Sequence, residues 1–272
     1  MRVGVVHVNT EEASGPYTEL ITGNLERAKR PDTELVHTYV KHLRRATDTA
    51  LAYPTLLNKV DAVAETVALE AQGADAVLVA CSGDTGVAEA RSLVSIPVVG
   101  PMEAAMLLAC SYGFRFGIVT VHDPTWASWL EQAVFSAGLA GRYVGMRQLK
   151  TPTAVVFTEG FERPELVRDD ILDRTREIVQ AGADAVLIGS AGLSTFATHF
   201  EISRLETPEV PIFDVISVGL KLAELRADLK AQLGIPAVSR AGWHAEFSQD
   251  DRRRVNRLFG WTPEPAETRA RA

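Results

Sequence analysis

The chain has 272 residues, 46% hydrophobic and 23% charged, enough to bury one large or two small α/β cores without covalent staples. Its net charge of −7, from 35 acidic and 28 basic residues, argues against a nucleic-acid partner, because phosphate binding needs a basic patch. Two cysteines in this length form no disulfide framework and read as reduced thiols of a cytoplasmic protein.

Short apolar runs alternate with longer helical patterns along the chain. Residues 3–8 form a nearly continuous β-branched run, as expected of a buried parallel strand. That run is shorter than the apolar stretch of about 7–15 residues in a signal peptide, and nothing approaches the ~18 apolar residues of a membrane span. A helix over 17–29 follows, then a strand over 35–40 and a long helix over 56–72 that stops at Gly73. The strand 75–81 ends in the turn Ser82-Gly83-Asp84. A short helix over 87–93, a strand over 96–99 and a helix over 102–111 complete the first half. The second half opens with a strand over 115–121 and a helix over 125–137. A weak strand over 143–146, a helix over 164–180, strands over 184–189 and 210–213, and a helix over 218–233 follow. Repeated βα units predict parallel sheets covered by helices on both faces, with ligands at the carboxyl ends of the strands. Residues 235–272 break the rhythm. One amphipathic helix is expected near 248–259, and the Pro-, Glu- and Arg-rich end from Pro263 to Ala272 is expected to fray. Arg252, Arg253, Arg254 and Arg257 lie beside Asp250 and Asp251 and read as a solvated helix face.

The chain repeats itself. The segment 73–83, GADAVLVACSG, matches 182–192, GADAVLIGSAG, at a constant offset of 109 (73 to 182, 81 to 190). A second echo follows each copy, SIPVVG at 95–100 and EVPIFD at 209–214, each leading into a helix. Such a duplication of whole βα units predicts two pseudosymmetric lobes, with Cys81 and Ser190 facing across a cleft. Both follow a strand and precede a helix N-terminus, where unpaired N–H groups point at a ligand. The small residues Ser82, Gly83, Ala191 and Gly192 would let an anionic group approach that backbone.

These motifs resemble the aspartate/glutamate/hydantoin racemase superfamily, over about residues 1–233. They are the strand leading into Cys81-Ser82-Gly83-Asp84, the strand leading into Gly189-Ser190-Ala191-Gly192, and an opening strand ending in Val8-Asn9-Thr10. The resemblance implies two α/β lobes, residues 1–114 (completed by the helix 215–233) and 115–214. It also implies a substrate cleft between them, no cofactor, and a homo-oligomer of two or more copies. In such enzymes two cysteines, one per lobe, flank the carbon next to a carbonyl. The second half, with Ala191-Gly192-Leu193, is closer to the hydantoin-racemase type than to amino-acid racemases, which implies a hydantoin-like or other small carbonyl or carboxylate substrate. Arylmalonate decarboxylase and maleate isomerase are further relatives by resemblance, each relying on a cysteine.

The chain departs from the family pattern at Ser190, which stands where the second cysteine belongs. A thiol near pKa 8.5 can take or give the α-proton, especially where a helix N-terminus lowers its pKa, whereas an alcohol is a far weaker acid. Three readings of an enzyme stay open: an engineered replacement, racemisation through a water held by Ser190, or a decarboxylation or elimination that needs one thiol; beside them stands a small-ligand-binding relative that kept the cleft and lost the second thiol. Cys81 is the expected acid/base. Backbone N–H groups at Ser82, Ala191 and Gly192 are the expected oxyanion donors. Asn9, Thr120 and His122 are expected substrate contacts. Ser82 and Thr85 are candidate carboxylate or imide donors, with capping of the helix near 87 as the alternative for both and for Asp84. Cys110 reads as packing. The histidines show no metal-ligand spacing and no phosphate loop is present, so no metal is expected.

Overall fold

The opening strand β1 (Arg2–His7) is buried along almost its whole length, which requires neighbours on both sides and helices on both faces. The computed structural model describes residues 1–13, 15–245 and 247–261 and supplies them. After β1 come α1 (Pro16–Ala28), β2 (Glu34–Tyr39), α2 (Ala52–Ala71), β3 (Ala76–Val79), α3 (Val87–Arg91), β4 (Val98–Val99) and α4 (Pro101–Tyr112). The second half runs β5 (Phe116–His122), α5 (Pro124–Ser136), β6 (Tyr143–Pro152), α6 (Thr153–Val156), α7 (Glu159–Glu162), α8 (Pro164–Gln180), β7 (Ala185–Ile188) and α9 (Ala191–His199). It closes with β8 (Arg204–Glu206), β9 (Glu209–Asp214), α10 (Val215–Leu233) and α11 (Gln249–Leu258).

Two sheets result. The first has the order β2-β1-β3-β4 and is parallel throughout; the second has the order β6-β5-β7-β9-β8 and is parallel except for the β8–β9 pair. Leaving out β8, the two orders are the same, so the repeat in the sequence is a repeat in the topology. Helix α10 packs on α4, α1 and β3, so the end of the second half returns to cover the first sheet.

The repeated residues have repeated jobs. Gly73 and Gly182 both take left-handed backbone, at φ +84° and +101°, where the preceding helix must reverse into a strand. Asp75 accepts the backbone N–H of Arg2 at 2.7 Å, and Asp184 accepts those of Phe114 and Arg115 at 2.9 and 3.0 Å, so each carboxylate fixes the start of its lobe's first strand. Gly4 and Gly117 sit at matching places in β1 and β5. A Cβ there would lie 2.5 Å from Leu69 of α2 and 2.2 Å from Ile178 of α8. Each missing side chain is the socket for the helix that covers the sheet.

Several elements differ from expectation, among them the short helices α6 and α7. Strand β6 extends to Pro152 rather than stopping near 146. It is an edge strand, mostly half-buried, whose polar second half (Arg147, Gln148, Lys150) carries no apolar signal. The antiparallel β8 is a short charged edge strand invisible to a βα pattern. Helix α2 starts at Ala52, a full turn before the expected 56. The amphipathic helix expected near 248–259 is α11, capped by the Ser248 hydroxyl accepting from the Asp251 N–H. The end from Pro263 to Ala272 lies outside the described residues. Among the described residues no helix is long and apolar enough to cross a membrane.

Candidate active site

Cys81 follows β3 by two residues and is 5% exposed. Its sulfur accepts two hydrogen bonds from its own turn, from the Gly83 N–H at 3.4 Å and from the Thr85 hydroxyl at 3.6 Å. Burial pushes the thiol pKa up, the two donors pull it down, and the nearby Asp84 carboxylate adds to the rise. The expectation that a helix N-terminus lowers this thiol is therefore corrected. Helix α3 is only five residues long and begins six residues after Cys81, behind a left-handed Gly86. Too little helix stands near the sulfur to outweigh desolvation.

None of the turn's side chains caps α3. Asp84, itself in the left-handed region at φ +48°, reaches across to α4, where Met102 N–H and Glu103 N–H donate to its two oxygens at 2.9 and 2.8 Å. Burial outweighs those bonds and raises Asp84 to about 7. Thr85 holds the sulfur. Ser82 is 0% exposed and its hydroxyl has no partner. Helix α10 of the second repeat is capped by another route: its own N-cap Asp214 accepts from Ile216 N–H, and from the hydroxyls of Ser194, Thr198 and Ser217.

Ser190 is the N-cap of α9, its hydroxyl accepting the Leu193 N–H at a long 3.5 Å. Ala191 and Gly192 are the buried first residues of that helix, whose opening N–H groups find no partner within the helix itself. The two turns are joined by one indole. Trp126 of α5 donates its N–H to the Gly189 carbonyl at 2.7 Å, and its far edge lies 3.3 Å from the position a Cβ on Gly83 would take. Cys81 and Ser190 thus stand in turns that contact opposite ends of the Trp126 ring.

The other expected contacts divide. Thr120 is fully buried and donates to the same Gly189 carbonyl at 3.0 Å, which makes it a brace between β5 and β7. Asn9 is 5% exposed. The β1–β3 register, Val6 opposite Val79, puts Asn9 and Ser82 three residues beyond the last pair on neighbouring strands, at the carboxyl edge. His122 occupies the matching place in the second sheet, but its ring is exposed and pairs with the Leu149 carbonyl at 2.9 Å. Gly83 is occupied differently from expectation. Its φ is ordinary, and the space beside it holds Trp129, whose Nε1 would be 2.9 Å from an added Cβ. Trp126 and Trp129 were not singled out from sequence. Their spacing on α5 reads as ordinary helix packing, and nothing local shows which turn they cover. No group of three or more His, Cys, Asp or Glu able to hold a metal occurs among the described residues.

The two sheets thus repeat one topology, with a thiol at one strand end and its counterpart turn across an indole. Residues 3–223 match the Asp/Glu/Hydantoin racemase family, and the chain belongs to it. It is 32% identical over 235 residues to a hydantoin racemase of Pseudomonas sp. (strain NS671), covering 84% of this chain and 87% of that one. Among solved structures it is similar to an allantoin racemase from Klebsiella pneumoniae, with a TM-score of 0.74, 25% identity and coverage of 92% of this chain and 94% of the other. A glutamate racemase from Bacillus anthracis shares the fold at a TM-score of 0.57 and 14% identity, over 96% of this chain and 94% of that one. The chain is a racemase-type isomerase.

Proposed function

We propose that the protein moves the proton on the ring carbon of a hydantoin-like cyclic ureide, with Cys81 as acid/base on one face. The observation that carries this reading is the Cys81 sulfur held by Gly83 N–H and Thr85 hydroxyl at the carboxyl end of β3. Similarity to hydantoin and allantoin racemases supports the ring substrate. In the base direction the C–H bond breaks, its proton passes to the Cys81 thiolate, and the electron pair moves onto the neighbouring carbonyl oxygen. The first N–H groups of α9, at Ala191 and Gly192, together with the Ser82 turn, are suited to receive that charge. Return of a proton to the other face is the role a second thiol would have. Ser190 as an alcohol is a far weaker acid than a thiol, and water is no stronger, so that proton arrives only slowly, from solvent reaching the turn of Ser190. No step calls for a cofactor.

A second reading is favoured by Ser190 itself, an alcohol in place of a second acid, whose oxygen accepts from the α9 N-terminus: a one-faced reaction, such as decarboxylation, served by Cys81 alone. Proton NMR in D2O with a resolved 5-substituted hydantoin separates the two. Exchange of the ring proton with matching loss of optical rotation supports racemisation. Exchange with retention of rotation, or release of carbon dioxide from an arylmalonate, supports the one-faced reaction. Absence of any exchange overturns the proposal.

A further inference from the structure

The two indoles beside the Cys81 turn differ in a way the fold alone does not require. Trp126 spends its N–H on the Gly189 carbonyl, whereas the N–H nitrogen of Trp129 is buried without a partner. An indole nitrogen can only donate, so nothing but an acceptor satisfies it, and a buried donor left unpaired is costly. This donor lies at the reacting centre. The place a Cβ on Gly83 would occupy is 2.9 Å from Trp129 Nε1 and 3.5 Å from Cys81 Sγ, so Gly83, by lacking a side chain, is the residue that lets this indole edge come so close to the thiol's turn. The adjoining Ser82 hydroxyl, fully buried, also lacks a partner. The groups packed on this face of Gly83 are two indoles and a thiol, none of them charged. They suit a flat ring bearing carbonyl oxygens, which stacks on an indole face while a carbonyl oxygen accepts the unpaired N–H.

We propose that Trp129 is a specificity-determining residue of this site, its indole N–H donating to a ring carbonyl of a cyclic ureide or imide laid against the Trp126–Trp129 wall. This rests on the reading of Cys81 as the reacting group. It adds a donor for a ring carbonyl beside the reacting carbon. Trp126, anchored on Gly189, holds the wall in place.

The test compares Trp129→Phe with the unaltered protein, because phenylalanine keeps an aromatic wall and removes only the donor. With a 5-substituted hydantoin the variant is expected to raise KM about 3–10-fold, the size of one lost neutral hydrogen bond. Replacing each ring carbonyl in turn by a thiocarbonyl, a poor acceptor, should abolish the difference between the two proteins for one of the two analogues. A purely structural tryptophan would penalise hydantoin and both analogues alike, and that result overturns the proposal. A second measurement does not depend on turnover or on the variant folding. The Trp129 indole peak in a proton–nitrogen NMR spectrum, assigned by its through-space contact with Gly83, should shift on addition of succinimide. A shift without any hydantoin exchange leaves this inference standing and removes the proposed reaction. An unmoved peak overturns the inference whether or not hydantoin is turned over.

Discussion

His7 and His37 lie side by side on β1 and β2, their ring nitrogens 2.9 Å apart, with His7 stacked on Tyr39 at 4.6 Å between ring centres. His7 is 1% exposed. Burial first, and His37 second, lower its pKa from 6.5 to about 3, and burial lowers His37 as well. In the unfolded chain His7 takes a proton as the pH drops through 6.5, while the folded chain refuses it until about 3. Stability contributed by the neutral pair is therefore complete above 6.5 and falls on acidification by about 1.4 kcal/mol per pH unit. Asp84 runs the other way. Its folded pKa of about 7 exceeds the 3.8 of an ordinary aspartate, so its share of stability grows as the pH falls from 7 toward 3.8. The two slopes oppose each other between about 4 and 6.5, and the pH profile of the unaltered protein is flattened there. His7→Phe keeps the stack and removes the titration. Urea unfolding midpoints at pH 7.5 and 4.5, converted with a common m-value, should show the variant less stable at pH 7.5. The gap should narrow or reverse by about 2.7 kcal/mol at pH 4.5, two units below 6.5. A gap that is the same at both pH values refutes the argument, because His7 would then titrate alike in the folded and unfolded chains.

Other outcomes follow from the same geometry. In a Cys110→Ser background, alkylation of Cys81 by iodoacetamide should accelerate with pH to a midpoint above that of free cysteine. Thr85→Val should move the midpoint higher still by removing a donor to the sulfur, whereas a lower midpoint would show that Thr85 does not hold the thiolate. Gly117→Ala drives a Cβ against Ile178 Cγ1 and should cost about 1–3 kcal/mol in chemical denaturation; combined with Ile178→Ala, which removes that atom, the double variant should lose less than the sum of the two, and strict additivity would refute the socket. Ser190→Cys should raise hydantoin racemisation, followed by polarimetry, by about 100-fold or more, the usual worth of a positioned acid; an unchanged rate would remove position 190 from the chemistry.

The repeat is the part of this protein that its sequence determined unaided. Gly73 with Asp75, and Gly182 with Asp184, act on backbone within their own lobes, so their chemistry is local and their recurrence betrays two sheets of the same order. Cys81 was legible for the same reason: a thiol at the end of an apolar strand, before a glycine turn, sits at the carboxyl edge of a parallel sheet. The polar half of β6 and the charged β8 were not legible, because an edge strand buries little and so selects no apolar pattern. The surroundings of the thiol were decided by tertiary structure alone. Thr85 turned out to hold the sulfur and Asp84 to cap α4, choices among several donors and acceptors that short-range spacing leaves equivalent. Trp126 and Trp129 come from α5, more than forty residues from Cys81 along the chain, and reach Gly83 only because the second sheet packs its first helix over the first sheet's turn. A contact between two halves depends on how those halves dock, and docking is fixed by the summed burial of both surfaces rather than by any pattern within one of them.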